Sequence, residues 1–320
     1  MTPDTRPRPP ETPDRPDRPA FDPRVVWTKG PECKALAEIL GGSEATPAGP
    51  DIVATCIESR ATLVVTRHLG SLDVCSVAVP DGFDPDATRS VVAAVGGGPH
   101  SHLAAAVADR LSRRLGVPAR AVYGHRGPEE REHAERVLAD IAASVPHLTT
   151  EAVEAPSPAS MVDSLPSGAL LVVGAPGGSW FQRQFFGPGA RIRAKAPHGT
   201  IVVRHSPTRV YQVMQPPVAF GPQMFVEDAR LLATGGHIIV AEDGKLVGTV
   251  SRTRLSEAGA RRQLAEVMED PIFLAADEPV AEVAHLVGGD RGSPIPVVDG
   301  KGRLVGIVDA AVVDRGARGV

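Results

Sequence analysis

The chain has 320 residues, of which 42% are apolar and only 4% aromatic, and a formal net charge of −4. That length and apolar share allow two or three domains with cores of Val, Leu, Ile and Ala. The acidic balance excludes a global basic footprint for nucleic acid, and no apolar run approaches the roughly 18–20 residues of a membrane span.

The three cysteines, Cys33, Cys56 and Cys75, have no metal-type spacing and leave an odd thiol, which suits a reducing cytosol better than a disulfide framework. The N-terminus has no apolar signal core. Residues 1–23, "MTPDTRPRPPETPDRPDRPAFDP", are dominated by Pro, Asp and Arg. Such a segment buries too little surface to offset its ordering entropy, so a disordered tail is predicted.

From residue 24 short apolar runs alternate with helical periods. "RSVVAAV" (89–95) is a strand ended by "GGGP" (96–99), and Leu103, Val107, Leu111 and Leu115 then mark one face of a helix. "ARAVYG" (119–124) is a second strand. "PEEREHAERVLADIAASV" (128–145) opens with Pro and acids, as a helix N-terminus does, and its charge run reads as a solvated face. "LTTEAV" (148–153), a short helix at Met161–Leu165, "ALLVVGAP" (169–176) and "GTIVVRH" (199–205) complete the series. Strands alternating with helices imply a parallel sheet covered on both faces, with ligands at the carboxyl ends of the strands.

The stretch "GAPGGSWFQRQFFGPG" (174–189) holds Gly174, Gly177 and Gly187, together with four of the chain's twelve aromatic residues. With the tail "KAPHGTIVV" (195–203), this glycine spacing resembles the ending of a universal stress protein domain. That resemblance implies an adenine nucleotide alpha hydrolase-like α/β fold of five parallel strands over residues 86–206. It also implies a nucleotide site built from Gly97, Gly98, Gly174, Gly177, Gly178, Ser179, Gly187 and Arg191. Two polar contacts of ATP-binding members are missing: Pro188 stands where a Ser or Thr hydroxyl belongs, and Gly96 takes the place of the first-strand Asp. Trp180, Phe181, Phe185 and Phe186 fill the span between the glycine anchors and are expected to pack at an interface. "RVVWTKGPECKALAEIL" (24–40), "DIVATCIESRATLVVTRHLGS" (51–71) and "DVCSVAVPDG" (73–82) resemble parts of the same domain in the same order. Residues 24–85 thus read as a truncated first lobe without a ligand, in which "GGSEATPAGP" (41–50) replaces two strands and a helix.

Residues 207–320 contain a direct repeat. "VYQVMQPPVAF" recurs as "LAEVMEDPIFL", 54 residues apart at Met214 and Met268, and "EDGKLVGTVSRTRL" recurs as "GKGRLVGIVDAAVV", 58 apart at Gly248 and Gly306. Each copy reads strand, helix (Val226–Leu232, Val280–Val287), strand, turn, strand. The V-M-x-x-P opening and L-V-G-x-V ending resemble a pair of cystathionine-β-synthase-type (CBS) domains, with repeats at 207–260 and 261–320. The resemblance implies an α+β module of pseudo-two-fold symmetry, a homodimer, and an adenosine-type ligand in the cleft between repeats. Ser251 keeps the hydroxyl of the ligand-binding pattern. Arg254 and Val312 replace its Asp, and Asp309 replaces its second hydroxyl residue, so the implied cleft residues are Ser251, Arg254 and Asp309.

Other constellations are weaker. His100 and His102 lie two apart at a helix start, lack a third ligand and read as solvated, so no metal site is expected. No G-x-S-x-G nucleophile elbow accompanies the serines, and no catalytic residue is assigned. "ARRQ" (260–263) and "RIRAK" (191–195) read as solvated helix faces.

The expectation is a non-catalytic cytoplasmic regulator or stress-response protein that needs no cofactor. ATP, AMP or S-adenosylmethionine are its candidate ligands, through the CBS pair and the stress-type lobe. It is expected to dimerise through the CBS or stress-type surfaces and to act on a protein partner that the sequence does not identify, without membrane or nucleic acid. Two alternatives stand beside it: a nucleotide-hydrolysing or phosphotransfer enzyme governed by the CBS pair, and a ligand-free dimeric scaffold.

Overall fold

The computed structural model describes residues 21–70, 72–175, 199–232, 237–287, 294–309 and 313. Gly177, Gly178, Ser179, Gly187, Arg191, the aromatics Trp180, Phe181, Phe185 and Phe186, and the "RIRAK" group lie outside the described residues, as do residues 1–20.

Among the described residues one sheet holds nine strands: β1 (Val25–Trp27), β2 (Thr46–Pro47), β3 (Leu63–Val65), β4 (Ser76–Asp81), β5 (Ser90–Ala94), β6 (Ala119–His125), β7 (Thr149–Glu154), β8 (Ala169–Gly174) and β9 (Thr200–Arg204). Their order is β2-β1-β3-β4-β9-β8-β5-β6-β7. Every pair is parallel except β4–β9, where Ala78 faces Val203 and Val79 faces Val202 in antiparallel register. The last five strands are thus arranged 3-2-1-4-5 in their own chain order. The first four follow the same order without the outermost strand, and the two series meet at their final strands. The stretch 41–50 is more than a linker: it keeps a turn of 3₁₀ helix at Gly42–Glu44 and the two-residue β2, paired to β1 at Val26–Thr46.

Buried apolar runs make these strands. β8 is buried throughout, as a parallel strand covered on both faces must be. On one face, α1 (Pro31–Gly41), α3 (Pro99–Leu115) and α4 (Pro128–Ser144) pack Leu36, Leu40, Leu103, Val107, Leu111 and Ile141 onto alternate strand residues such as Leu63, Val91, Leu170 and Ile201. Arg110 of α3 is 9% exposed and ties the two lobes: its Nε donates to Leu40 O at 3.1 Å and its Nη2 to Asp22. On the other face, α5 (Pro158–Asp163) sets Met161 and Val162 against Val92, Val122, Leu171 and Val202. α2 (Ile52–Ser59) lies over Val26 and Val64.

The C-terminal segment forms two three-stranded sheets, β10 (Ala219–Phe220), β11 (His237–Glu242) and β12 (Lys245–Ser251), then β13 (Leu274–Ala275), β14 (Ile295–Val298) and β15 (Leu304–Val308). Its helices are α6 (Val210–Val213), α7 (Val226–Leu232), α8 (Arg252–Glu257) and α9 (Val280–Val287). Each repeat opens on a helical turn and a two-residue strand rather than the longer strand its sequence suggests. "ARRQ" is no helix face either: it precedes a 3₁₀ turn at Leu264–Glu266, and Arg262 O accepts from Val226 N–H.

The two halves of the chain share a core. Tyr211 and Val210 are fully buried with Cys56, Ile57, Val64 and Cys75 of the first lobe and Val280, Val297 and Val308 of the second repeat. The Tyr211 hydroxyl donates to Val74 O at 2.9 Å, and Gln212 Nε2 donates to Ala61 O at 2.9 Å. Burial, then the adjoining Cys75 thiol, pushes the Tyr211 phenol far above its ordinary range, so it stays a neutral donor. Ion pairs at the rim, Arg303–Glu58 at 3.5 Å and Lys301–Asp51 at 3.8 Å, are exposed and contribute little. Tyr211→Phe leaves Val74 O without its donor and should cost about 1–3 kcal/mol in urea unfolding. Tyr211→Ala should cost about 3–5 kcal/mol, the range for removing a buried aromatic.

Candidate functional site

The C-terminal repeats interlock. Gln215, from the opening of the first copy, pairs antiparallel with Ile307 of the second. Glu269, from the opening of the second, pairs with Thr249 of the first. Each methionine of the repeated opening then lies on the glycine of the other copy's ending. A Cβ on Gly306 would fall 2.5 Å from Met214 Sδ, and one on Gly248 would fall 2.7 Å from Met268 Sδ. Only glycine lets these two backbones lie under a long side chain, which accounts for both motifs at once.

This exchange builds two equivalent clusters at the ends of β12 and β15. In the first, Ser251 Oγ caps α8 by accepting from Arg254 N–H at 3.3 Å. The Arg254 guanidinium pairs with the Glu269 carboxylate brought across from the other repeat, and both are about half exposed (49% and 48%). In the second, Gln215 Nε2 donates to Asp309 Oδ2 at 3.5 Å. Ser251 and Arg254 are therefore brought together, and Asp309 sits in the companion cluster. Sequence reasoning overlooked Glu269 and Gln215. They follow Met268 and Met214 directly, so the 54-residue repeat carried the signal.

The first cluster offers a hydroxyl already used as a cap, a cation and a competing carboxylate. An anionic ligand would have to displace Glu269 from Arg254. The second offers an amide and a carboxylate, a set suited to hydroxyl donors and unfavourable to phosphate. Val218 and Ile272, 67% and 77% exposed, stand 54 residues apart just before β10 and β13 and give each repeat an apolar surface beside its polar cluster.

In the nine-stranded sheet the strand order reverses between β5 and β8, where a crevice outside the carboxyl ends is expected. Gly97 and Gly98 have φ of +91° and +76° and turn the chain from β5 into α3. Ser101 is fully buried there: Gly96 N–H donates to its Oγ at 3.0 Å, and that hydroxyl donates to Gly97 O at 3.0 Å. Gly174 closes β8. Beside this turn a cavity of about 270 Å³ is lined by Gly96, Tyr123, Arg126, Glu130, His133 and Met161. The charge run of α4 is a largely solvated face, with Glu130 and His133 at the rim of this cavity. Its His133 meets the Tyr123 ring edge-on at 5.8 Å, while Arg131–Glu135 is an ordinary surface pair. A second cavity, of about 480 Å³, lies in the first lobe against Gly30, Cys33, Arg67, His68 and Asp81.

The histidine pair is not simply solvated. His100 Nδ1 accepts from His205 N–H at 3.0 Å, and burial, then Arg204, lowers its pKa, which favours the neutral acceptor form. His102 clasps α4 through Asp140 and Ser144, both at 2.9 Å. Among the described residues no group of three His, Cys, Asp or Glu side chains could hold a metal ion. No described helix is long and apolar enough to cross a membrane.

The sequence profile of the CBS domain matches residues 210–261 and 264–311. The C-terminal segment is therefore a pair of CBS domains. Over 71 residues the chain is 39% identical to the magnesium transporter MgtE of Thermus thermophilus, and over 80 residues 36% identical to a homoserine O-acetyltransferase of Methanococcoides burtonii. These matches cover 22% and 24% of this chain but only 16% of either relative. Among solved structures, the CBS-pair protein CBSX2 of Arabidopsis thaliana is 24% identical over 35% of this chain and 96% of its own, with a TM-score of 0.32.

The crossed methionines make a direct test. Gly306→Ala and Gly248→Ala should each destabilise the chain by about 1–3 kcal/mol, the usual cost of overpacking. Met214→Ala and Gly306→Ala together should cost less than the sum of the two single changes in chemical denaturation, because loss of Met214 Sδ and Cγ removes the closest clashes.

Proposed function

We propose that the chain is a non-catalytic cytoplasmic regulator whose CBS pair senses an adenine nucleotide or a related adenosyl ligand. The observation that carries this reading is the pair of equivalent clusters, Ser251–Arg254–Glu269 and Asp309–Gln215, each built from both repeats. A ligand held by groups from two repeats favours one arrangement of them, which is what a sensor requires. In this reading Arg254 meets a phosphate once Glu269 is displaced, and Asp309 accepts from hydroxyl groups.

The nine-stranded sheet fits two lobes of the universal stress protein type. Its last five strands are all parallel, as that resemblance implies, and the two lobes join edge to edge through their final strands. The crevice beside Gly96, Tyr123 and His133 is the place for a nucleoside in the complete lobe. The CBS pair is proposed to form a homodimer through α7 and α9, whose Leu231, Leu232 and Leu286 are 85%, 57% and 54% exposed. Exposed apolar side chains of that size, at matching helices of the two repeats, are a surface that association would cover.

Purified chain titrated with ATP, ADP, AMP and S-adenosylmethionine should show saturable thermal stabilisation by at least one, worth about 2.7 kcal/mol at a hundredfold excess over Kd. If a nucleotide binds, Arg254→Ala should weaken it and Glu269→Gln should tighten it, read by calorimetry. A flat response to the whole panel would reject the sensor.

Leu231→Glu together with Leu286→Glu should yield a monomer in light scattering if α7 and α9 form the dimer. An unchanged mass would remove these helices from the interface.

A further inference from the structure

The two CBS clusters match in sequence position, but different structures stand behind them. The segment ending at Gln215 is stitched to the first α/β lobe along its length. Ser206 Oγ and Arg209 Nη2 donate to Asp73 O at 2.5 and 2.6 Å, Tyr211 reaches Val74 O, Gln212 reaches Ala61 O, and Arg24 Nη2 donates to Gln212 O at 3.1 Å. The other edge of the same segment is built into the second repeat. Val210 and Tyr211 N–H groups donate to Glu278 O and Ala276 O, both at 2.9 Å, and Gln215 exchanges backbone bonds of 2.8 and 2.9 Å with Ile307, two residues before Asp309.

The first repeat supplies an internal control. Its matching segment ends at Glu269, and 54 residues after Tyr211 and Gln212 stand Ala265 and Glu266. Both are exposed, and among the described residues the Glu266 carboxylate bonds only its neighbours Arg262 and Gln263. One cluster is therefore backed by the α/β sheet and the other by solvent.

We propose that the Asp309–Gln215 cluster is the regulatory half-site, coupled to the α/β lobes through residues 206–215, and that the Ser251–Arg254–Glu269 cluster is uncoupled from them. The ligand that would trigger it rests on the sensing role proposed above; the mechanical coupling does not. Displacing Gln215 moves a short segment whose Tyr211 is locked in a close-packed core, so the displacement reaches residues 72–78, which include part of β4, and through the β4–β9 ladder the second lobe. The element that both sites bias is the seam itself.

The test fills each half-site with a bulky side chain in the full chain. Gln215→Trp should change amide hydrogen exchange in residues 61–65 and 72–78 by at least about fivefold, the lower bound of ordinary allosteric coupling. Glu269→Trp, its counterpart, should leave those amides unchanged while altering exchange around Thr249. Should Gln215→Trp fail to fold, Gln215→Met reads the same amides with a milder perturbation. Adding Gln212→Ala should reduce the change transmitted from Gln215. Equal effects of the two substitutions, or none in residues 72–78 from Gln215, would overturn the proposal. A negative response to the ligand panel leaves this comparison unaffected, so the two failures are distinguishable.

Discussion

The structure depends on the apolar face that the shortened first lobe leaves uncovered. On the face away from α1, β1, β3 and α2 present Val26, Val64, Cys56 and Ile57. The opening segment of the first CBS repeat and the core of the second supply the cover, with Tyr211 of that segment as the largest side chain fully enclosed there. An aromatic of that size removes roughly 150–250 Å² from water. Its hydroxyl must also find an acceptor in a region without solvent, and Val74 O is that acceptor. The seam is therefore both a hydrophobic core and a polar register, and it fixes the orientation of the CBS pair on the sheet.

The other constraint is the β4–β9 ladder. Joining two parallel series at their final strands removes two edges, since neither β4 nor β9 is left with an open side. It also sets α1 beside α3 on one face, where Arg110 spans the lobes. The remaining edges are short or charged: β2 has two residues, and Glu151 of β7 is paired with Arg120. The seam and the ladder act on the same strand, because β4 begins at Ser76, just beyond Cys75 and Val74. A disturbance at the seam thus lies one strand from the second lobe.

Much of this was legible in the sequence where local chemistry decides. The strands β5, β6, β8 and β9 are apolar runs bounded by glycine or proline, and α3 and α4 carry their period and their N-terminal prolines in plain view. The repeat exposed the CBS pair because Met214, Met268, Gly248 and Gly306 recur at fixed offsets. What stayed hidden were contacts between residues far apart in the chain. Nothing local to Tyr211 says that its partner is Val74, 137 residues away. β2 was missed because two residues carry no period. His133 is exposed, as its charged neighbours suggest, but nothing local shows that its ring meets the Tyr123 ring edge-on. Arg254 looked like a lost ligand residue, and only the crossing of the repeats shows Glu269 balancing its charge. The glycine and aromatic stretch at 174–189 stays a sequence argument beyond Gly174 and Ala175.

The crossing of the repeats also explains how symmetry and asymmetry coexist in one module. Met214 and Met268 do the same work against opposite glycines, so neither can change without loosening the pair. The positions just before them are free of that constraint, since neither lies on the other copy's glycine. At one of them the chain places Tyr211 and Gln212, which dock on the lobe; at the other it places Ala265 and Glu266, which meet water. A duplicated unit can thus keep its internal packing while one copy acquires an attachment. The attachment has to fall on the segment that crosses over, because that segment is the part of each repeat belonging to both sheets. A force applied there is felt by the opposite repeat's cluster, so the copy that docks through its opening carries the other copy's ligand groups against the sheet.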